Sequence, residues 1–399
     1  MQLIEGSVRS YAWGSRTALA ELTGRPAPTD HPEAEIWFGA HPAAPSTVVS
    51  EDVTLDEFIA VDPAAKVGAG YETLPFLLKL LAADKALSLQ AHPTKEQAQE
   101  GFAAENAAGV PLDAFQRNYK DDNHKPELVV ALTKFHALAG FRPVSRTLQL
   151  LEALDVPELA SYLSLLGSGD DAADLRGLFT TWVSLPRDFV LPLIDAVVGR
   201  CRVLLSDATG CSVEEWMRPS LETVVTLSTE YPGDAGIICS LLLNRVTLQP
   251  GEGLYLDAGQ LHAYLGGVGV EIMANSDNVL RSGLTTKHID VAELMRVLRC
   301  EPLADPRLAA DEDGVYQTPA PEFSLRRMVR GDVREVSGPA IVLSVGAGVT
   351  VEQQLSGTVM DLGPGHAVWV AADADSVTVT VDNAASTGET AAFIATVGR

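Results

Sequence analysis

The hydrophobic repeat of this chain changes twice, and those two changes limit what it can fold into. From residue 1 to about 145, strand-like runs such as "AEIWFGAH" (34–41) and "KALSLQAH" (85–92) sit among Gly and Pro turns. From about 146 to 230 apolar residues recur at helical spacing, first Leu148, Leu151 and Leu154, then Leu159, Tyr162 and Leu165. The stretch "EYPGDAG" (230–236) ends that texture, and short β-rich runs with Gly turns resume. Beyond about 305, "AIVLSVGAGVTVEQQ", "GTVMDLGPGHAVWVAAD" and "DSVTVTVDN" are the closely spaced β-branched runs that build sandwiches and barrels. The expectation is a mainly β protein with an α insert. Residues 1–145 and 233–305 would form one β domain, 146–232 a helical domain inside it, and 306–399 a second β domain.

Local signals sharpen two helices. Thr94 with Gln97 forms a capping-box pattern directly after Pro93, which predicts a helix over "TKEQAQEGFAAENA". Ser212 with Glu215 predicts another, which Pro219 should kink or interrupt after its first turns.

With 399 residues, 46% of them hydrophobic, the chain can bury a substantial core. Its formal net charge of −24 disfavours nucleic acid and anionic membranes as partners, since the long-range field repels both. No apolar run is long enough to span a bilayer, and the start "MQLIEGSVRS" lacks the features of a secretory signal, so a cytoplasmic location is expected. Cys201, Cys211, Cys239 and Cys300 are scattered without a CxxC pair, so they are expected to be buried thiols rather than a disulfide or zinc-thiolate framework.

Three stretches carry polar residues among apolar ones. In "SLQAHP" (88–93) an extended backbone would put Ser88, Gln90 and His92 on one face and Leu89 and Ala91 on the other. In "NHKPELVVALTKFHALAGFRP" (123–143) Pro126 disfavours helix at Lys125, so Lys125 and Glu127 should project together. A surface ion pair at a strand edge is the simpler reading of that pair taken alone. In residues 248–290 a strand after the turn "DAGQ" places His262 and Tyr264 on a common face, where His262 alone could be a structural core histidine. Together, Gln90, His92, Glu127 and His262 supply two imidazoles, a carboxylate and an amide oxygen, a set suited to zinc with room for a further ligand. Sequence spacing supports only the Gln90 and His92 pair. Lys79, Lys85, Lys125, Arg281 and Lys287 add local positive charge, with Arg281 in the turn-rich "NSDNVLRSG" able to clamp a phosphate.

The motifs "YAWGS", "AEIWFGAHPAAPS", "PFLLKLLAADKALSLQAHP", "NHKPELVVALTKFHALAGFRP" and "LHAYLGGVGVEIMANSDNVLRSGLTTK", in that order over roughly residues 1–290, resemble the type I mannose-6-phosphate isomerases, zinc enzymes of the cupin superfamily. The resemblance implies two cupin-like (jelly-roll) β domains plus a helical domain. It implies one zinc ion per chain on Gln90, His92, Glu127 and His262, and an essential Arg281. Ser88, Lys125 and Lys287 would line a sugar-phosphate pocket, with Glu271, Asp277, Tyr264, His124 and Lys79 on further pocket positions. The expected reaction exchanges mannose 6-phosphate and fructose 6-phosphate through an enediol, with the proton carried by Lys125 or Glu271. The partner would then be a small sugar phosphate and the enzyme a monomer. Two rivals share the ligand set: a non-catalytic cupin that binds metal and sugar, and a non-haem iron oxygenase.

Overall fold

A computed structural model describes residues 1–206, 213–346, 348–382 and 390–398. The mainly β fold with an α insert is the expected class. Sheets and helices stack in layers, and each layer boundary is an apolar core.

The strand Phe76–Ala83, "FLLKLLAA", is buried along its whole length, so both faces are covered. Phe76, Leu78, Leu80 and Ala82 face a core shared with Ile341, Trp369 and Phe393 of the C-terminal region. The alternate residues Leu77, Lys79 and Leu81 therefore point the other way, and one of them is a lysine. The strand His262–Ala274 organises the rest. Its second half, Gly267–Ala274, pairs with Ala83–Phe76 on one side and with Glu127–Ala131 on the other. Its first half pairs instead with Phe135–Phe141 and, through His262, with Gln90 in Leu89–Ala91. The change of partner falls at a register shift between Tyr264 and Gly266. Gly267 follows with φ 118°, and a Cβ there would lie 2.8 Å from the Lys134 carbonyl oxygen. Bending at this bulge lets one strand line two walls of a barrel, whose interior holds Leu81, Val129, Phe135, Leu256 and Tyr264.

The C-terminal runs form an eight-stranded and a four-stranded sheet with a valine-rich core between them; Val377, Val379 and Val381 alternate inward from Val377–Val381. The amino terminus joins this region: Gln2–Glu5 pairs with Ala367–Val370 and with Thr47–Val48. Arg307–Leu308 pairs back to Gly253–Leu256. Strand pairing thus crosses the sequence edges at 145 and 305.

Helices Val144–Leu154, Asp171–Val183, Arg187–Leu205 and Arg218–Glu230 pack over Leu89, Ala91, Leu138 and Phe141. Two expectations need correction. Leu159, Tyr162 and Leu165 do not share one helix: Asp155 ends the preceding helix in the left-handed region and Pro157 opens a 3-10 turn, leaving only the single turn Ala160–Leu163. Pro219 does not kink a helix either; it sits in the first turn of Arg218–Glu230, where its missing N–H has no partner to lose. Ser212 and Cys211 lie outside the described residues. Cys201, Cys239 and Cys300 are buried thiols. Among the described residues no helix is long and apolar enough to cross a membrane.

Gly267→Ala should destabilise the protein by about 2–4 kcal/mol, combining a disfavoured φ with a backbone clash. A urea unfolding midpoint equal to that of the unsubstituted chain would refute this account of the bulge.

Candidate metal centre

Strand parity sets six polar side chains on shared faces. Residues paired across an antiparallel ladder point to the same side. Gln90 pairs with His262 on one flank and with Arg281 on the other, so these three project together. Glu127 pairs with Met273, two residues from Glu271, and Glu271 pairs with Lys79, so this second group also shares a face. The strand Leu89–Ala91 is shorter than expected: Ser88 precedes it and His92 follows it, because Pro93 cannot extend the ladder. Leu89 and Ala91 are buried under the helices, while Gln90 faces the opposite way, as the alternation required.

His92, Glu127 and His262 are all buried, and their ligand atoms lie within 4.8 Å of one another. Each histidine Nε2 is 3.4 Å from Glu127 Oε2. The imidazoles are held from behind. His92 Nδ1 is 2.7 Å from the Asn278 carbonyl and His262 Nδ1 is 3.0 Å from that of Gln260. Each Nδ1–H donates to its carbonyl, which turns Nε2, the nitrogen that carries the lone pair in the neutral ring, toward Glu127. His92 Nε2 and Glu127 Oε2 are buried without a hydrogen-bond partner. Two orphaned acceptors turned toward one point suit a divalent cation, and the nitrogen and oxygen donors suit zinc. The Gln90 amide reaches 3.3 Å from His262 Nε2, and turning it over presents its oxygen to the same point.

The surroundings are strongly charged. Lys125 Nζ lies 3.1 Å from Glu127 Oε1 with only 11% of its side chain exposed, so this is a buried ion pair, not a surface one. Burial works to raise the Glu127 pKa, but the Lys125 ammonium leads the groups that outweigh it and hold the carboxyl well below its usual range. Burial pushes His92 down to about 4, which keeps it neutral and able to ligate. Lys79 sits between Glu271 Oε2 at 2.9 Å and Glu35 Oε1 at 3.4 Å. Burial opposes its charge, yet Glu271, Glu35 and Glu127 together keep it protonated. The Glu271 carboxyl is raised first by burial, then by Glu127 and Glu35, with Lys79 offsetting part of the rise. Tyr264 donates to Glu271 Oε1 at 2.9 Å.

The other expected residues spread around this core. Arg281 lies in the strand Leu280–Gly283 rather than in a turn. Lys287 is exposed, and its amine is lowered by desolvation and then by the charges of Arg281 and Lys120. Lys85 is exposed, and Ser88 is half-buried. Asp277 Oδ1 is 3.6 Å from His41 Nε2. His124 Nε2 lies 2.6 Å from Glu322 Oε1, a contact from the C-terminal region, which had carried no polar signal.

Three residues of this arrangement were missed. Glu35, 6% exposed, shares Lys79 and accepts from Trp37 Nε1 at 2.8 Å. His41 is buried against Trp37. The signal for both lay in "AEIWFGAHP", whose "GAHP" parallels the "QAHP" at 90–93. Asn278 is fully buried; besides holding His92, its amide bonds the 120–123 segment at Lys120 N, Asp121 O and Asn123 O. A lone Asn in a polar stretch gave no hint of that.

Comparison with known proteins places this geometry. Residues 1–144 match the family model "Phosphomannose isomerase type I, catalytic domain". The chain is 38% identical to mannose-6-phosphate isomerase of Escherichia coli (strain K12), covering 95% of this chain and 97% of that one. It is 38% identical to the enzyme of the same name from Salmonella typhimurium, covering 98% of each. A crystal structure of mannose 6-phosphate isomerase bound with zinc and yttrium superposes with a TM-score of 0.85 at 35% identity, over 100% of both chains. Similarity of this extent over nearly the whole length settles kinship: the chain belongs to the type I phosphomannose isomerase family.

Proposed function

We propose that this chain interconverts D-mannose 6-phosphate and D-fructose 6-phosphate through an enediol, with one zinc ion as cofactor. The observation that carries the reading is the buried His92, Glu127 and His262 group with its two orphaned acceptors, set in the same ladder as Arg281. Gln90 would be the fourth ligand. Bound zinc would supply a Lewis acid and template for the substrate oxygens at C1 and C2.

The remaining work falls to the protein. Arg281 has only a 3.5 Å contact to the Val279 carbonyl, so its guanidinium is free to clamp phosphate, assisted by Lys287 and Ser88. Holding that end fixes the reacting carbons and turns binding energy into orientation. One base removes the C2 proton, the C1=C2 bond forms as the carbonyl pair moves onto O1, and O1 takes up a proton to give the enediol; O2 then gives up its proton, and return of the carbon-bound proton to C1 leaves the carbonyl at C2. Glu271 suits this shuttle, since burial raises its pKa and Lys79 and Tyr264 hold both its oxygens. Lys125 is the alternative, and its bond to Glu127 makes it the group beside the metal. Lys79 would act through Glu271, and His124 and Asp277 would border the pocket. The sugar-binding cupin and the iron oxygenase are not favoured, because the relatives that share this chain's full length are named as isomerases.

His262→Ala should strip zinc from dialysed protein and lower turnover by at least about 10³-fold. Full activity after exhaustive chelation, with zinc absent by elemental analysis, would sink the metal. Arg281→Ala should reduce kcat/KM for mannose 6-phosphate by about 10²-fold, the loss of a charge-assisted bidentate contact. A value near that of the unsubstituted chain would take Arg281 out of the mechanism.

A further inference from the structure

The segment 109–121 is stitched along the segment that carries Arg281 and Lys287, and a third cation sits between the stitches. At one end the backbone N–H of Lys120 donates to Asn278 Oδ1 at 2.7 Å, and that of Asp121 reaches the same oxygen at 3.3 Å. Asn278 lies just before the strand Leu280–Gly283 that presents Arg281. Farther along, Asn118 Nδ2 donates to Asp290 Oδ2 at 3.1 Å, and the Phe115 ring meets that of His288 with centroids 5.8 Å apart. Lys120 is therefore tied on both sides to the stretch bearing the two phosphate-directed cations.

The charges at this spot are arranged unusually for so acidic a chain. Among the described residues, Lys120, Arg281 and Lys287 have no carboxylate within ion-pair distance. The acidic groups nearby are satisfied by neutral donors. Asp121 accepts from Ser276 Oγ and from the Asp277 N–H, and Asp290 from Asn118 and the Glu293 N–H. Lys120 Nζ donates to the Leu112 carbonyl, which holds the ammonium in place without neutralising it and leaves two N–H donors. The Lys287 amine is lowered first by burial and then by the charges of Arg281 and Lys120, in keeping with the stitching that lays Lys120 along the segment of both. Like charges held near one another without counter-ions repel, and an anion taken up between them relieves that repulsion.

We propose that Lys120 is a further phosphate-binding residue of this site, completing with Arg281 and Lys287 a three-cation cradle for the doubly charged phosphate. The inference rests on the sugar-phosphate reading above. It assigns the 109–121 segment a part in substrate recognition that its exposed tip does not suggest.

The test uses the full zinc-loaded chain with Lys120→Met, Lys120→Gln and Lys120→Arg. Removing the charge should raise KM for mannose 6-phosphate roughly tenfold while kcat changes far less, and the arginine variant should recover most of that loss. Inorganic phosphate, titrated calorimetrically without turnover, should bind the Met and Gln variants weaker by a similar factor. Unchanged KM and phosphate affinity in both neutral variants would overturn the assignment. So would a fall in kcat with phosphate affinity intact, which would mark Lys120 as scaffolding for its loop. If the unsubstituted chain binds phosphate but does not isomerise the sugar, the functional reading fails, and the calorimetric comparison still decides the role of Lys120.

Discussion

The Glu127 carboxylate is the group on which the rest of the site depends. It is 2% exposed, and an unpaired charge at such depth costs several kcal/mol. One oxygen is answered by Lys125 at 3.1 Å; the other faces two imidazole nitrogens that carry no proton toward it and has no hydrogen bond. Neutral histidines do not compensate a carboxylate, whereas a cation shared by all three does. The neighbouring residues repeat the imbalance. Glu35, Glu127 and Glu271 face two buried ammonium groups, Lys79 and Lys125, so the interior is short of positive charge until a divalent ion enters. A metal bound there would therefore favour the folded barrel.

Such a cluster persists only on a stiff support. Lys79 and Glu271 lie on facing central strands whose opposite faces pack against large apolar side chains of the C-terminal sheet. The bulge at Gly267 then turns the same strand so that His262 is delivered to the other wall. A strand without that bend would hold either Glu271 or His262 in the site, not both. The C-terminal region thereby serves the chemistry from a distance: it seals the outer face of the strands that carry the charges, and through Glu322 it touches His124 directly.

Much of this was legible in the sequence, for identifiable reasons. The capping box at Thr94 is local, and it forms as read, with Gln97 N–H to Thr94 Oγ1 at 3.2 Å and the reciprocal bond at 3.0 Å. The change from strand to helical period marks the insert because periodicity reflects which faces are buried. The extent of "SLQAH" as a strand was overread, since alternation says which way side chains point but not how many residues find a ladder partner. Arg281 was taken for a turn residue because "NSDN" is turn-like, yet pairing with Gln90 imposes a strand. The convergence of Glu127 with His262 was beyond spacing arguments altogether, because it is fixed by the register of strands far apart in the chain. Asn278 was invisible for the same reason: its role exists only in its partners.

The site sorts charge into two adjoining regions of opposite demand. Inside the barrel, carboxylates exceed ammonium groups and call for a cation. Beside it, Arg281, Lys287 and Lys120 have no ion-paired carboxylate among the described residues and would together suit an anion. Asn278 joins the two, its carbonyl on His92 and its side chain on the segment of Lys120 and Asp121. A substrate with oxygens at one end and a phosphate at the other would satisfy both regions at once, and a molecule lacking either end would leave one of them uncompensated. The net charge of −24 makes this local sorting necessary: at long range the protein repels an anionic sugar, so recognition has to come from cations within contact distance. Specificity for a phosphorylated sugar over a neutral one then follows from charge placement, before any contact with the sugar ring is considered.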